Sequence, residues 1–314
     1  MKPAKVYHLS ANRRRDGCTG GVEKFGWLLE QAIGCDLIVD RELSGVLSKK
    51  DGNALFVVDG GHGLSIPDDT PILSVCHGSW VGLWARWGFT KEMEGHEGAP
   101  YEESQVKMWG TYSNSGKHNV LPVACSGGAK RELVQYHNRL DAPVILHGVH
   151  HNVYIPKKTF NPKPIIIHVA NEWRKGHHII PEVAKRLPQF QFEFLSAGIG
   201  QEPERFARGD MFIHISCSEG NAYACLEAMS CDLPMVVTNV GLFESDVPSA
   251  TVGKVVEFYS SVDNIVEAVL EVWENKERFH PREWIEQNAT FEHFKQRWVE
   301  LIEDAEDYGL IMGG

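Results

Sequence analysis

Apolar residues in this chain come in short bursts separated by polar or glycine-bearing turns, and the bursts alternate with stretches of helical spacing. Lys5–Leu9, Cys35–Val39, Ala54–Asp59, Ile72–His77, Val120–Ala124 and Val144–His147 read as short strands in the first half. Continuous apolar runs of that length suit strands covered on both faces, as in a parallel sheet. Between them, Val22, Phe25, Leu28, Leu29 and Ile33 fall on one face of a helix, and a second helix runs from Ala129 to His137. The region from Trp80 to Gly98 is irregular. Pro156 to Pro164 holds three prolines in nine residues and reads as a linker. Beyond it the alternation resumes. Strands are expected at Ile165–Val169, Phe190–Leu195, Met211–Ser216 and Pro234–Thr238, with helices at His177–Leu187, Ala222–Cys231 and Ser261–Asn275. Such repetition on both sides of a linker predicts two doubly wound α/β domains, residues 1–158 and 159–289, with a cleft between them. A last charged helix over Pro281–Tyr308 carries the stripe Phe291, Phe294, Trp298, Leu301 and Ile302. Its end, about residues 290–314, is expected to return to the first domain.

Composition narrows the function classes. At 314 residues, 43% hydrophobic and 23% charged, the chain is ordinary for a globular protein. No apolar run approaches the ~18 residues that cross a bilayer, and no signal-peptide core follows Met1. The seven cysteines include no CxxC pair and read as reduced core thiols. The expected location is the cytoplasm, that of a host if the protein is viral. None of the fifteen histidines has HExxH spacing, so no metal is expected. No GxGxxG fingerprint points to a dinucleotide either. A formal net charge of −11 works against polyanionic partners, with Arg13-Arg14-Arg15 as a local exception.

The stretch from Asp210 to Pro234 carries the most chemistry. It reads as a buried strand, a turn with Glu219-Gly220-Asn221, and a helix from Ala222, capped by Asn221 and carrying Glu227. A strand that turns through glycine into a helix gathers free N–H groups and the positive helix end at one place, which suits a phosphate. Flanking carboxylates suit sugar hydroxyls, so the pattern reads as a nucleotide-sugar site. On spacing alone, two solvated glutamates on a helix account for the pair equally well. Three other stretches join it. Gly20-Gly21 before a helix lets backbone approach an anion, and Arg174-Lys175-Gly176 after a strand offers cations to a leaving diphosphate. His77 closes a strand, and Trp80, Trp84 and Trp87 offer faces for an acceptor ring.

Residues Asp210 to Gly241 resemble the signature of retaining GT-B glycosyltransferases, most closely glycosyltransferase family four. The resemblance rests on Ser218-Glu219-Gly220, then Leu226-Glu227-Ala228-Met229, then Leu233-Pro234 leading to Gly241, supported by Gly20-Gly21-Val22-Glu23 and Lys175-Gly176. It implies a GT-B fold of two Rossmann-like domains and transfer from a nucleoside-diphosphate sugar, UDP- or GDP-linked, to an acceptor hydroxyl without cofactor. In that pattern Glu219 holds hydroxyls of the donor sugar, Glu227 the ribose hydroxyls, and His77 the sugar's hydroxymethyl group. Gly220, Asn221 and Ala222 approach the donor through their amides, the Gly20-Gly21 loop covers the phosphates, and Lys175 neutralises the leaving group. Where the family has an arginine about five residues earlier, this chain reads Ala170-Asn171, leaving Arg174 or the Arg13–Arg15 loop as the second cation. A glycan or small-molecule acceptor is favoured. A modified base in DNA, a nucleotide-sugar epimerase or hydrolase, and a non-catalytic sugar-nucleotide binder are the alternatives.

Overall fold

The computed structural model describes residues 5–10, 20–48, 54–60, 66–67, 70–78, 120–157, 159–195 and 200–305. The chain forms two compact units, Met1–His147 with Glu292–Gly314, and Gly148–Phe291.

In the first unit, strands β1 (Lys5–Ser10), β2 (Asp36–Val39), β3 (Ala54–Asp59), β4 (Ile72–Cys76) and β5 (Val120–Ala124) make one sheet in the order β2-β1-β3-β4-β5. Every pairing is parallel. The helices are α1 (Gly21–Ile33), α2 (Asp40–Leu47) and α3 (Gly127–His137). Gly34 ends α1 in the left-handed conformation, and the Ser126 hydroxyl caps α3 by accepting from the Ala129 amide at 3.0 Å. Leu9, Phe56, Val58, Ile72 and Leu133 share one buried core. Phe25 of α1 meets Phe294 and Trp298 with ring centroids 5.8 and 5.9 Å apart, so the Phe291–Glu303 helix lies against it. The α2 helix escaped the sequence reading because its apolar face is only Leu43, Val46 and Leu47.

Val144–His147 is not a strand. It makes a single bridge, Val144 to Ala124, through Ala124 N–H to Pro143 O and Ile145 N–H to Ala124 O, both 2.9 Å. Prolines 122 and 143 have no N–H to extend that ladder, which leaves β5 as the edge.

In the second unit, β6 (Ile165–His168), β7 (Gln191–Phe194), β8 (Met211–His214), β9 (Met235–Thr238) and β10 (Gly253–Val256) form a parallel sheet in the order β10-β9-β8-β6-β7. Around it lie α4 (Ile180–Arg186), α5 (Glu202–Ala207), α6 (Tyr223–Ser230), α7 (Ser249–Val252), α8 (Val262–Glu274) and α9 (Pro281–Asn288). β8 and β9 are wholly buried, matching sequences that are apolar up to their last residues, His214 and Thr238.

Three expectations change here. The helix expected from His177 begins at Ile180, after a 3-10 turn at Trp173–Lys175 that Gly176 ends in the left-handed region. The Pro281–Tyr308 helix is two helices, α9 and α10 (Phe291–Glu303), because Thr290 leaves the helical path to bridge Val149. β10 was unforeseen, since Gly253-Lys-Val-Val is too short to show a period.

The proline-rich stretch is anchored to the second unit by Asp210, which is fully buried. Its carboxylate accepts from the Asn161 amide at 3.0 Å, the Asn161 side chain at 2.8 Å and the Ile165 amide at 2.7 Å, and pairs with Lys157 at 2.5 Å. A buried carboxylate needs such donors to replace the water it has lost. Among the described residues, no helix is long and apolar enough to cross a membrane.

Burial pushes the His137 imidazole down to about 4. Unfolded, the ring takes its proton at the ordinary value, so stability should be level above that value and fall as pH drops from about 6.5 towards 4. Denaturant melts of the wild type should show this loss, and His137→Gln should lessen it by on the order of 2 kcal/mol.

Candidate active site

The order of the second sheet reverses between β6 and β8: from β6 the chain moves outward to β7, then returns to the far side for β8, β9 and β10. In open parallel sheets the carboxyl ends of the strands at such a reversal form a ligand crevice. Here the turn after β6 carries Arg174 and Lys175, and the turn after β8 carries Ser216 to Asn221. Hydrogen bonds join the two turns directly. The Arg174 carbonyl accepts from the Cys217 amide at 2.9 Å and lies 3.2 Å from the Ser216 hydroxyl. Thr238, at the end of β9, braces the same segment, accepting from the Ser216 amide at 3.0 Å and donating to the Ser216 carbonyl at 2.6 Å.

Two glycines make this approach possible. Gly176 has φ +77°, and a Cβ there would strike the carbonyl oxygen of Ile215. Gly241 has φ +53°, and a Cβ there would strike the backbone carbonyls of Glu219 and Gly220. Both therefore answer a steric need as well as a conformational one.

Glu219 is the electrostatic centre, its side chain only 16% exposed. Its Oε1 accepts from the Ser216 hydroxyl at 3.0 Å and from Arg174 Nη1 at 3.3 Å, and lies 3.3 Å from His214 Nε2. Burial alone would raise its pKa, but the Arg174 charge, the His214 contact and Lys175 together hold the carboxyl well below the usual range. Arg174 also donates to the Ser218 carbonyl at 2.6 Å and to Glu172 at 2.8 Å. Its guanidinium thus fixes the turn that bears Glu219. Lys175 is less engaged, with Nζ 3.9 Å from Glu172.

The helix after the turn differs from expectation at its start. Ala222, not Asn221, is the N-cap of α6, and no side chain caps it. Asn221 is buried instead. Glu227 is buried as well, rather than solvated, and accepts a 2.7 Å hydrogen bond from the Tyr154 hydroxyl. The reading of two solvated glutamates therefore does not hold.

The structure brings Glu219, Gly220, Arg174 and Lys175 together, with Asn221, Ala222 and Glu227 following on the same turn and helix. Gly20, Gly21 and His77 lie in the first unit. Gly20 is the N-cap of α1 and Gly21 its first residue, and the Glu23 carboxylate occupies the space a Cβ would fill at Gly20. His77 follows β4 and meets Asp59, the last residue of β3, at 2.9 Å. The Arg13–Arg15 run, Cys18, Thr19 and Trp80, Trp84 and Trp87 lie outside the described residues.

Sequence reasoning missed His8, Asp59, Tyr154 and His214. For His8 and His214 a signal existed, an ionisable residue inside an apolar strand run, which needs a buried partner. Tyr154 gave none, since its bond to Glu227 joins positions 73 residues apart.

Residues 200–290 match the family model for glycosyl transferases group 1. No protein of curated function matches the sequence. Among solved structures, sucrose-phosphate synthase from Thermosynechococcus elongatus superposes with a TM-score of 0.77 at 12% identity, over 96% of this chain and 99% of that one. The Anabaena protein HepE, in complex with UDP and glucose, gives 0.71 at 13% identity, over 96% and 99%. A glycosyltransferase from Rickettsia africae gives 0.64 at 12% identity, over 96% and 98%. The fold is GT-B. Its two Rossmann-like α/β units are the two five-stranded parallel sheets with their flanking helices.

In this GT-B chain, Gly241→Ala should destabilise by about 2 kcal/mol or more, through left-handed strain and the clash with two carbonyls. Thermal melts of Gly241→Ala beside Gly45→Ala, an open position in α2, check the expectation; equal stability for the two would refute it.

Proposed function

We propose that the protein is a retaining glycosyltransferase that moves a sugar from a nucleoside-diphosphate donor to an acceptor hydroxyl. The observation that carries the reading is the union of the Lys175 turn with the Glu219 turn at the reversal of the second sheet. The group 1 family match over residues 200–290 supports it, as does the likeness to HepE, which has been solved with UDP-glucose.

Departure of a diphosphate concentrates negative charge on its oxygens, and catalysis consists largely of meeting that charge. Lys175 and the amides opening α6 take this role, with the amides at Gly20-Gly21 as the anion contact of the first unit. Arg174, bound to Glu219, Ser218 and Glu172, serves the site by holding the Glu219 turn. Glu219 stays ionised and is therefore an acceptor only, suited to sugar hydroxyls. The same stabilisation makes it a poor base and a poor nucleophile, so it positions the sugar and does not attack. The acceptor hydroxyl then enters on the face the leaving group vacates and passes its proton to the departing diphosphate oxygen, and the configuration is retained. Glu227, oriented by Tyr154, receives the ribose hydroxyls, and His77 a hydroxyl of the sugar. UDP is the favoured nucleotide on the strength of the neighbour structures, with GDP as the other possibility. The acceptor is a glycan or small molecule, in keeping with a net charge of −11. The cytoplasm is the proposed setting, in keeping with six described cysteines that are all buried, as reduced core thiols are.

Incubation with UDP- and GDP-sugars and a panel of glycan, small-molecule and duplex-DNA acceptors, read by mass spectrometry, should give a sugar-bearing product with the donor's anomeric configuration. Glu219→Ala should lower kcat/KM by about 10²-fold or more with its circular dichroism unchanged. Full transfer by that variant, or donor consumed only by water, would overturn the proposal.

A further inference from the structure

The first sheet also reverses, between β1 and β3. Towards the carboxyl ends of β1, β3 and β4, two histidines, His8 and His77, meet the carboxylate of Asp59. Asp59 has 4% of its side chain exposed, and its Oδ1 lies 2.9 Å from His77 Nε2 and 3.1 Å from His8 Nε2. His8 is fully buried, whereas His77 is 17% exposed. The His77 ring is further confined by Phe25, with centroids 4.8 Å apart, and by His147 at 5.4 Å. Phe25 also touches His8 and His147, so one aromatic ring braces all three imidazoles.

An ionised carboxylate only accepts hydrogen bonds, so the His77 Nε2 bonded to it must carry a hydrogen. Burial opposes the charge on Asp59, but His8 and His77 outweigh it and hold the carboxyl well below its usual range. With Nε2–H committed to Asp59, a neutral His77 has a bare nitrogen at Nδ1. Among the described residues, no group bonds that nitrogen.

We propose that Asp59 is a positioning residue that fixes His77 as the Nε2–H tautomer, so that its Nδ1 receives a hydrogen from a ligand hydroxyl. His8, with Nε2 3.1 Å from the same oxygen, packs against the carboxylate from within β1. The ligand group so selected is a hydroxyl rather than a phosphate oxygen, because a bare imidazole nitrogen attracts an O–H donor and repels an oxyanion. The geometry stands on its own; its kinetic consequence rests on the transferase reading above.

Long-range proton–nitrogen correlation spectra of the 15N-labelled full chain at neutral pH read the tautomer directly, with His77 assigned by its loss in His77→Gln. We expect a protonated Nε2 and an unprotonated Nδ1 in the wild type, and loss of that pattern in Asp59→Asn. A wild-type ring protonated at Nδ1 overturns the proposal even if the variant fails to fold, and so does an unchanged pattern in a folded Asp59→Asn. In transfer assays, Asp59→Asn should lower kcat/KM by about 10²-fold and add nothing further in a His77→Ala background. Additive losses would contradict a role exerted through His77. If no donor is turned over by the wild type, the transferase reading fails while the spectra still decide the role of Asp59.

Discussion

A carboxylate drawn partly out of water must be met by donors or lose its charge, and around Glu219 the surrounding chain is arranged to meet it. The chief donor, Arg174, belongs to a different strand exit, so the ion pair forms only if the turns after β6 and β8 lie side by side. Gly176 lets the first turn approach the second, Gly241 lets the following loop lie on Glu219 and Gly220, and Thr238 holds Ser216 from the next strand. Each satisfies a steric or hydrogen-bonding requirement set by that single ion pair.

The first unit solves a related problem with different residues. There the carboxylate is Asp59, and it meets two imidazoles, one from within a strand and one, its hydrogen-bond partner, from beyond a strand end. In the second unit a strand histidine again lies near the carboxylate, His214 beside Glu219, but an arginine supplies the permanent charge. Histidine and arginine differ in what they leave behind. The arginine pair keeps its charge at any ordinary pH, while the histidine pair presents a nitrogen whose hydrogen depends on its partner.

Much of the fold was legible because it is written locally. β3 and β5 run from Ala54 to Asp59 and from Val120 to Ala124, as their apolar runs indicate. The glutamates and the Arg174-Lys175-Gly176 turn were also visible as residue types at strand exits. What stayed hidden depends on distant partners. Val144 is apolar enough for a strand, but prolines 122 and 143 deny it a ladder. Asn221 has the chemistry of a cap, yet it is buried and the chain enters the helix one residue later, at Ala222. Nothing near Glu227 announces a tyrosine bond, and nothing near Asp59 announces two histidines.

Arg282 extends this dependence on remote partners. Its Nη1 meets the carbonyl oxygens of His151, Tyr154 and Ser230, tying the start of the second unit to the end of α6. Tyr154 is also the residue that holds Glu227. A side chain on α9, with no place in the chemistry, thus governs the alignment of a carboxylate two steps away. A change at Arg282 would therefore reach Glu227 without touching it, through the backbone of the residue that holds it.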